Sequence, residues 1–355
     1  MADGQSMIYG ANGYTGELIA REARHQGMEP VLAGRREERV AALADGLGLP
    51  HRIFPLDDPE RIAEQLADID VVVHAAGPFS ATASPMIEAC LSAGTHYCDI
   101  TGEIGVFEHA HAQHQRAEAA GVALCPGVGF DVIPTDCVAA ALKHALPDAS
   151  RLALGFDTRS GFSPGTAKTS IEGLAQGGKE RREGRIVTVP LAADVREIDF
   201  GDGPKTAMTI PWGDVATAYY TTGIPNIRVY IPTSPRMLKQ ARRLNPFRPL
   251  LALGPVQRFL KRQLEKRVHG PGTEEREKQP TYVWGEAENP RGERYQARIK
   301  TANGYTITLH GAVMAARYLL DARPAGGYYT PSLLMGRDLI TRLPGSGELS
   351  LGPAE

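Results

Sequence analysis

An α/β fold, with a doubly wound parallel sheet and a second α+β domain, is predicted by three features of this 355-residue chain. A glycine-rich turn separates a short apolar run from an amphipathic stretch near the start. Apolar runs then alternate with helix-like segments as far as Cys125. Beyond Ser150 that rhythm gives way to short strands divided by polar turns.

The first strand is read at Ser6–Tyr9, short and apolar, and the first helix at Tyr14–Gln26, with Leu18, Ile19 and Ala23 on one side. Gly10-Ala11-Asn12-Gly13-Tyr14-Thr15-Gly16 joins them. Gly10 suits the tight turn, Gly13 a close approach of backbone to a pyrophosphate, and Gly16 tight packing of helix on strand. A helix start also offers N–H groups and the positive end of its dipole to phosphate. Gly10, Asn12, Gly13, Tyr14, Thr15 and Gly16 are therefore expected to hold a dinucleotide in a Rossmann domain. Pro30–Ala33 is the second strand, and Gly34-Arg35-Arg36 follows it. An NAD site places Asp or Glu there for the ribose 2′-OH. A glycine and two guanidinium forks suit a 2′-phosphate instead, which points to NADP. The plainer alternative is that Arg35 and Arg36 open a solvated helix with Glu37, Glu38 and Arg39.

His51–Phe54 is the third strand. Asp57 beyond it either edges the adenine or caps a helix running from Pro59 to Ala67. Val71–Ala75 is a continuous apolar strand, as in a sheet buried on both faces. Ala76, Gly77, Pro78 and Phe79 follow: small residues admit the cofactor's ribose and nicotinamide, and Pro78-Phe79 walls the ring. A helix over Ser84–Ala93, a strand over Thr95–Asp99, a helix over Val106–Ala119 and a strand over Val122–Cys125 complete the alternation.

Ligands of such sheets lie beyond the carboxyl ends of the strands. Two of those ends carry acids: Asp99 to Glu103, and the run from Cys125 through Phe130-Asp131 to Thr135-Asp136. Asp99, Glu103, Asp131 and Lys168 are the candidates for a proton donor. For the acids the alternative is structural, since Asp131, or Thr135 and Asp136, could cap the helix that runs to Ala145. Lys168 has a lowered pKa if it is buried before a helix, and is otherwise a surface residue.

These segments together resemble one family. The glycine turn, Ala33-Gly34-Arg35, Ala76-Gly77-Pro78-Phe79, Tyr97-Cys98-Asp99-Ile100-Thr101-Gly102-Glu103 and Gly129-Phe130-Asp131-x-x-Pro134-x-Asp136 look like the saccharopine dehydrogenase-like oxidoreductases. The branch that includes trans-acting enoyl reductases and membrane-associated relatives is the most similar. Ser163–Ser170 resembles that branch's Gly-Thr-x-x-Ser stretch, and Gly327–Pro331 with a last helix to Arg342 its closing segment. The resemblance implies a Rossmann domain, NADP and an inserted α+β domain. It leaves the substrate open, and no arginine motif for an amino-acid carboxylate is present.

Three divisions follow: a dinucleotide-binding domain over 1–136, an α+β domain over 137–302, and helices over 303–355 returning to the first. Within the second, strands are expected near Leu152–Phe156, Arg185–Val189, Val195–Phe200 and Ala207–Ile210. Tyr282–Ala287 and Tyr295–Lys300 flank a hairpin signal at Asn289–Gly292. Gly304–Leu320 reads as a long helix.

A net charge of −2 excludes a strongly basic nucleic-acid binder. Cys90, Cys98, Cys125 and Cys137 form no C-x-x-C pair and no metal spacing, so reduced thiols, no metal and a cytoplasmic location are expected. No signal segment is recognised at the N-terminus, and no run of about 18 apolar residues. The odd segment is Ser234–His269, which carries ten Lys or Arg against one acid, Glu265. Its apolar centre at 247–256 suits contact with a membrane surface; a solvated helix packing Leu238, Leu250, Leu253, Phe259 and Leu264 on its own domain is the alternative. Besides such a surface, the expected partners are a small lipid-like molecule and, left open, a second copy of the chain. The leading expectation is an NADP(H)-dependent oxidoreductase. Its rivals are a saccharopine-type amino-acid oxidoreductase and a non-catalytic NADP-binding scaffold at a membrane.

Overall fold

The computed structural model describes residues 4–158, 173, 175–251, 253–265 and 279–354. Lys168, the Ser163–Ser170 stretch and residues 266–269 of the basic segment lie outside them. The chain divides into two compact units, Met1–Ile133 with Tyr305–Leu339, and Pro134–Gly304 with Ile340–Glu355.

The first unit holds strands β1 (Ser6–Tyr9), β2 (Val31–Gly34), β3 (His51–Ile53), β4 (Val71–His74), β5 (His96–Asp99) and β6 (Ala123–Cys125). With a short strand at Gly327–Tyr328 they form a seven-stranded sheet, ordered from that strand through β6, β5, β4, β1 and β2 to β3. All its pairings are parallel, with Ile8 facing Leu32 on one side and Val73 on the other. The apolar runs of β1, β2 and β4 are wholly buried, whereas edge strand β3 alternates. Strand order reverses between β1 and β4, which opens a crevice at their carboxyl ends.

Local chemistry corrects several boundaries. Asp58, not Asp57, caps the Pro59–Gln65 helix, accepting from the Glu60 and Arg61 N–H groups. Phe79–Ala93 is one helix that begins five residues before Ser84 and keeps Pro85 inside; its first N–H groups find a carboxylate partner elsewhere in the chain. The expected Val106–Ala119 helix is two, Ile104–Ala112 and His114–Ala120, meeting at Gln113. Thr135 and Asp136 lie within the Ile133–Ala145 helix, so neither caps it. The Thr135 hydroxyl instead donates to Asp214 at 2.6 Å, and Asp136 accepts from the Thr221 hydroxyl.

The second unit contains β7 (Arg151–Thr158), β8 (Gly178–Arg182), β9 (Arg185–Val189), β10 (Val195–Asp199), β11 (Pro204–Thr209), β12 (Asn226–Pro232), β13 (Thr281–Glu288) and β14 (Arg294–Thr301). Sequence patterning gave no expectation for β8, β12 or the Asp214–Thr222 helix. The sheet runs β10-β11-β12-β7-β13-β14 and ends on Ser350–Pro353, with β8 and β9 branching from β12. Among the described residues, only β7 and β12 pair in parallel here. The β13–β14 turn is closed by Asn289, whose Oδ1 accepts from the Arg291 and Glu293 N–H groups.

Ser350–Pro353 corrects the picture of a C-terminus made of helices that return to the first domain. Tyr305–Leu339 groups with the first unit, but the last strand pairs antiparallel with β14 and covers an edge that would otherwise present unpaired backbone groups. The last helix to Arg342 is also interrupted, at Gly336, whose φ of +96° terminates the Pro331–Met335 helix.

Ile198, Phe200, Ala207, Tyr230 and Trp284 form a core of the second unit. Phe200 and Trp284 meet edge to face at 6.5 Å, and the Arg196 guanidinium lies 5.1 Å from the Trp284 ring. Removing the largest of these side chains leaves a cavity that rigid strands cannot close. Trp284→Ala is expected to cost about 3–5 kcal/mol, read as a lowered Tm in thermal unfolding.

Candidate functional site

The glycine turn lies at the carboxyl end of β1. Gly10 has φ +86°, and a Cβ there would sit 2.8 Å from the Ala76 N and Cβ atoms. The turn at the end of β1 and the Ala76 segment are thus pressed together. A Cβ on Gly16 would lie 2.2 Å from the Gly10 carbonyl oxygen, so this glycine lets the helix pack on its own turn. Gly13 differs: its nearest neighbour would be the same oxygen at 3.3 Å, and the residue is exposed. Gly13 is also the N-cap of the Tyr14–His25 helix, and no side chain caps it. The turn thus leaves room over Gly13 at an uncapped helix start, the arrangement that accepts a pyrophosphate. Tyr14 packs edge to face on Tyr305 at 5.3 Å, while Thr15 sits in the first helical turn.

Asn12 ties this turn to the end of β2, since a Cβ on Gly34 would lie 2.8 Å from Asn12 Oδ1. Arg35 and Arg36 are exposed just beyond, and neither forms an ion pair among the described residues. Tyr9 marks the neighbourhood. Its hydroxyl donates to the Phe54 carbonyl at 2.8 Å, and burial pushes the phenol up to about 12, with Arg35 and Asp57 both near enough to act on it. Asp57 is exposed at the end of β3 and, freed of the cap role by Asp58, faces the same corner. Free guanidinium groups beside a glycine strand end fit a 2′-phosphate.

Beyond β4, Gly77 and Pro78 are exposed and Phe79 half-buried. The Phe79 ring meets His74 edge to face at 5.4 Å. His74 is fully buried, and burial alone holds it neutral by pushing its pKa down to about 3. Its Nε2 lies 3.0 Å from the Thr82 hydroxyl, which donates to the Ala76 carbonyl at 2.7 Å. His74 and Thr82 thus hold the Ala76–Phe79 turn from beneath. Sequence reasoning assigned neither, though a histidine ending an apolar strand is a legible signal.

Of the four acid–base candidates, Asp99 is fully buried. Its Oδ2 accepts from the Tyr97 hydroxyl at 2.6 Å, and its Oδ1 accepts from the Thr101 and Gly127 N–H groups, each at 2.9 Å. Burial pushes the carboxyl up to about 6, against the pull of those donors. Glu103 accepts from Phe79 N at 2.9 Å and Ser80 N at 2.8 Å. It therefore caps the Phe79–Ala93 helix from a neighbouring strand end, placing negative charge at the positive end of the dipole. Asp131 is half-buried, and its Oδ2 would lie 2.8 Å from a Cβ on Gly102. Desolvation pushes this carboxyl up to about 7. The preceding Phe130 N–H donates to the Thr308 hydroxyl at 3.0 Å. Thr308, some 178 positions away in the chain, gave no sequence signal at all. Lys168 lies outside the described residues.

Comparison with known proteins agrees with this geometry. Residues 7–125 match the family described as the saccharopine dehydrogenase NADP binding domain. NADP is accordingly the cofactor this domain takes. The chain is 31% identical over 185 residues to a putative trans-acting enoyl reductase of Mycobacterium tuberculosis, covering 48% of this chain and 44% of that protein. It is 29% identical over 199 residues to the trans-acting enoyl reductase of Mycobacterium bovis, covering 52% and 48%. The chain thus spans about half the length of the curated relatives it matches. The fold matches apo saccharopine dehydrogenase (L-Glu forming) from Saccharomyces cerevisiae with a TM-score of 0.66, over 99% of this chain and 100% of that one, at 12% identity.

The glycines separate experimentally. Gly13→Val is expected to lose NADPH binding while lowering Tm less than Gly16→Val, because a Cβ at Gly13 would meet only the Gly10 oxygen, at 3.3 Å. Gly16→Val is expected to lower Tm outright. Thermal unfolding with and without NADPH distinguishes the two.

Proposed function

We propose, from the premise that residues 7–125 are a saccharopine dehydrogenase-type NADP-binding domain, that this chain is an NADP(H)-dependent oxidoreductase reducing a lipid-like enoyl or carbonyl compound. The observation that carries the reading is the open turn over Gly13, combined with two unpaired arginines at the end of β2. The names of the relatives support an enoyl substrate. The yeast saccharopine dehydrogenase shares the fold.

When bound, NADPH supplies a hydride. The remaining work belongs to the chain. The first turn of the Tyr14–His25 helix holds the pyrophosphate, Arg35 and Arg36 the 2′-phosphate, and Asn12, Gly34 and Asp57 the adenosine end. Ala76, Gly77, Pro78 and Phe79 border the nicotinamide end. A reduced carbonyl or enoyl group becomes basic at oxygen or carbon and needs a proton. Asp131 is the donor in this reading. With a pKa near 7 it still carries a proton at neutral pH, and it keeps some access to solvent. Asp99 and Glu103 act as positioning residues. Asp99 fixes the loop that leads to Asp131 through Gly127 N, and Glu103 fixes the start of the Phe79 helix.

Two measurements test this assignment. Arg35→Ala combined with Arg36→Ala should weaken NADPH binding roughly 10–100-fold by removing charge-assisted hydrogen bonds of about 1.5–3 kcal/mol, while NADH binding stays unchanged in a fluorescence titration. Equal wild-type affinity for the two cofactors contradicts the assignment. As a donor, Asp131 is active while protonated, so turnover should fall as pH rises through about 7. Asp131→Asn should lower kcat and erase that limb. The raised pKa also means that ionisation costs folding stability as pH rises from about 4, the carboxylate value of an unfolded chain, to 7. The Asn variant should therefore have the higher Tm at pH 8.

A further inference from the structure

The catalytic reading leaves the basic segment of the second unit unused. From Pro235 the described chain forms a helix to Leu244, a single 3₁₀ turn at Asn245–Phe247, a short helix at Arg248–Leu251 and a helix from Gly254. None of the residues in the first three pieces is buried. Eight large hydrophobic residues are exposed among the described residues, and five of them are here: Met237, Phe247, Leu250, Leu253 and Phe259. Phe247 and Phe259 leave 57% and 61% of their surface in water. Of the alternative that packs Leu238, Leu250, Leu253, Phe259 and Leu264 inward, Leu250, Leu253 and Phe259 are exposed, Leu238 is half-buried, and the Leu264 side chain lies outside the described residues.

The charge is equally one-sided. Arg236, Lys239, Arg242, Arg243, Arg248 and Arg258 lie between 234 and 259, and no acid does. Lys239, Arg242 and Arg243 line a shallow hollow of about 400 Å³ with Pro235 and Leu238. None of these three cations forms an ion pair among the described residues. The segment is nevertheless attached. Asn245 exchanges two hydrogen bonds with the Leu191 backbone, at 2.7 and 3.2 Å, and Arg248 donates to the Gln176 carbonyl at 2.6 Å. One side is therefore pinned to the unit, while apolar and cationic groups fill the other. No helix among the described residues is long and apolar enough to cross a membrane. Unpaired cations beside exposed aromatic and aliphatic side chains match the two layers of a lipid interface, anionic headgroups over hydrocarbon.

We infer that the Pro235–Phe259 face docks on an anionic phospholipid surface, with Lys239, Arg242 and Arg243 taking headgroup phosphate and Phe247, Leu250, Leu253 and Phe259 entering the hydrocarbon boundary. The inference goes beyond the catalytic reading and does not depend on it. Sedimentation of the full chain with vesicles tests it. Binding is expected to phosphatidylglycerol-rich vesicles and not to pure phosphatidylcholine, and it should weaken with salt. Arg242→Ser with Arg243→Ser should cut affinity roughly 30-fold at low salt. Phe247→Ser with Leu250→Ser leaves charge unchanged and should cut it roughly tenfold or more. Both pairs should retain NADPH binding and Tm, which separates failure of docking from failure of the fold or the cofactor site. No sedimentation with phosphatidylglycerol overturns the inference, as does binding indifferent to the Phe247 and Leu250 changes. So does a lipid-free dimer, seen in sedimentation velocity, that those same changes abolish.

Discussion

A single buried carboxylate organises the first unit's candidate site. Asp99 has no contact with water, so every one of its strong acceptor positions must be met from within. The Tyr97 hydroxyl and the Thr101 and Gly127 N–H groups meet that demand. In doing so they fix two loops relative to one strand. One loop leads through Gly102, against which Asp131 lies, to Glu103, which closes the Phe79 helix. The other leads from Gly127 to Asp131 itself. An acid whose pKa is raised to about 7, a helix start and a strand end are thus registered to one another by Asp99.

The same economy governs the cofactor corner. Crowding at Gly10 and Gly16, where any side chain would meet backbone within 3 Å, keeps the turn close against strand and helix. Fold and binding therefore draw on different glycines within one seven-residue motif. His74, neutral and buried, supports the facing Ala76–Phe79 turn without adding charge to a site meant for an anionic ligand.

Much of the first unit was legible because its rules are local. Apolar runs with no alternation announced strands buried on both faces, and glycines at fixed spacing announced the turn. What stayed hidden was set at long range. Glu103 caps a helix that begins 24 positions earlier, so the Phe79 start could not be read from its own neighbourhood. The sequence admits Asp57 as the cap of the Pro59 helix, whereas its neighbour Asp58 is the residue that accepts from the Glu60 and Arg61 N–H groups. Thr308 reaches Phe130 across 178 positions. In the second unit, β12 alternates Ile227, Val229 and Ile231 between two prolines, yet its parallel partner β7 lies more than seventy residues earlier, and only that pairing settles it. The terminal strand was invisible for the same reason: Ser-Leu-Gly-Pro becomes a strand because β14 has an open edge.

The interleaving of the two units bears on how the chain is made. Each unit is assembled from two separated stretches, and the second stretch of each comes from the last 51 residues, Tyr305–Leu339 for one and Ile340–Glu355 for the other. During synthesis the nucleotide-binding sheet emerges first, but the Gly327–Tyr328 strand that covers β6 and the hydroxyl that receives the Phe130 N–H are still untranslated. The other sheet likewise waits for its closing strand. Neither unit can be finished before Tyr305 has been made, and the second also draws on residues beyond Leu339, where the first is complete. Order of translation is thereby uncoupled from order of folding, and a nascent chain halted before Tyr305 carries two incomplete units rather than one finished domain.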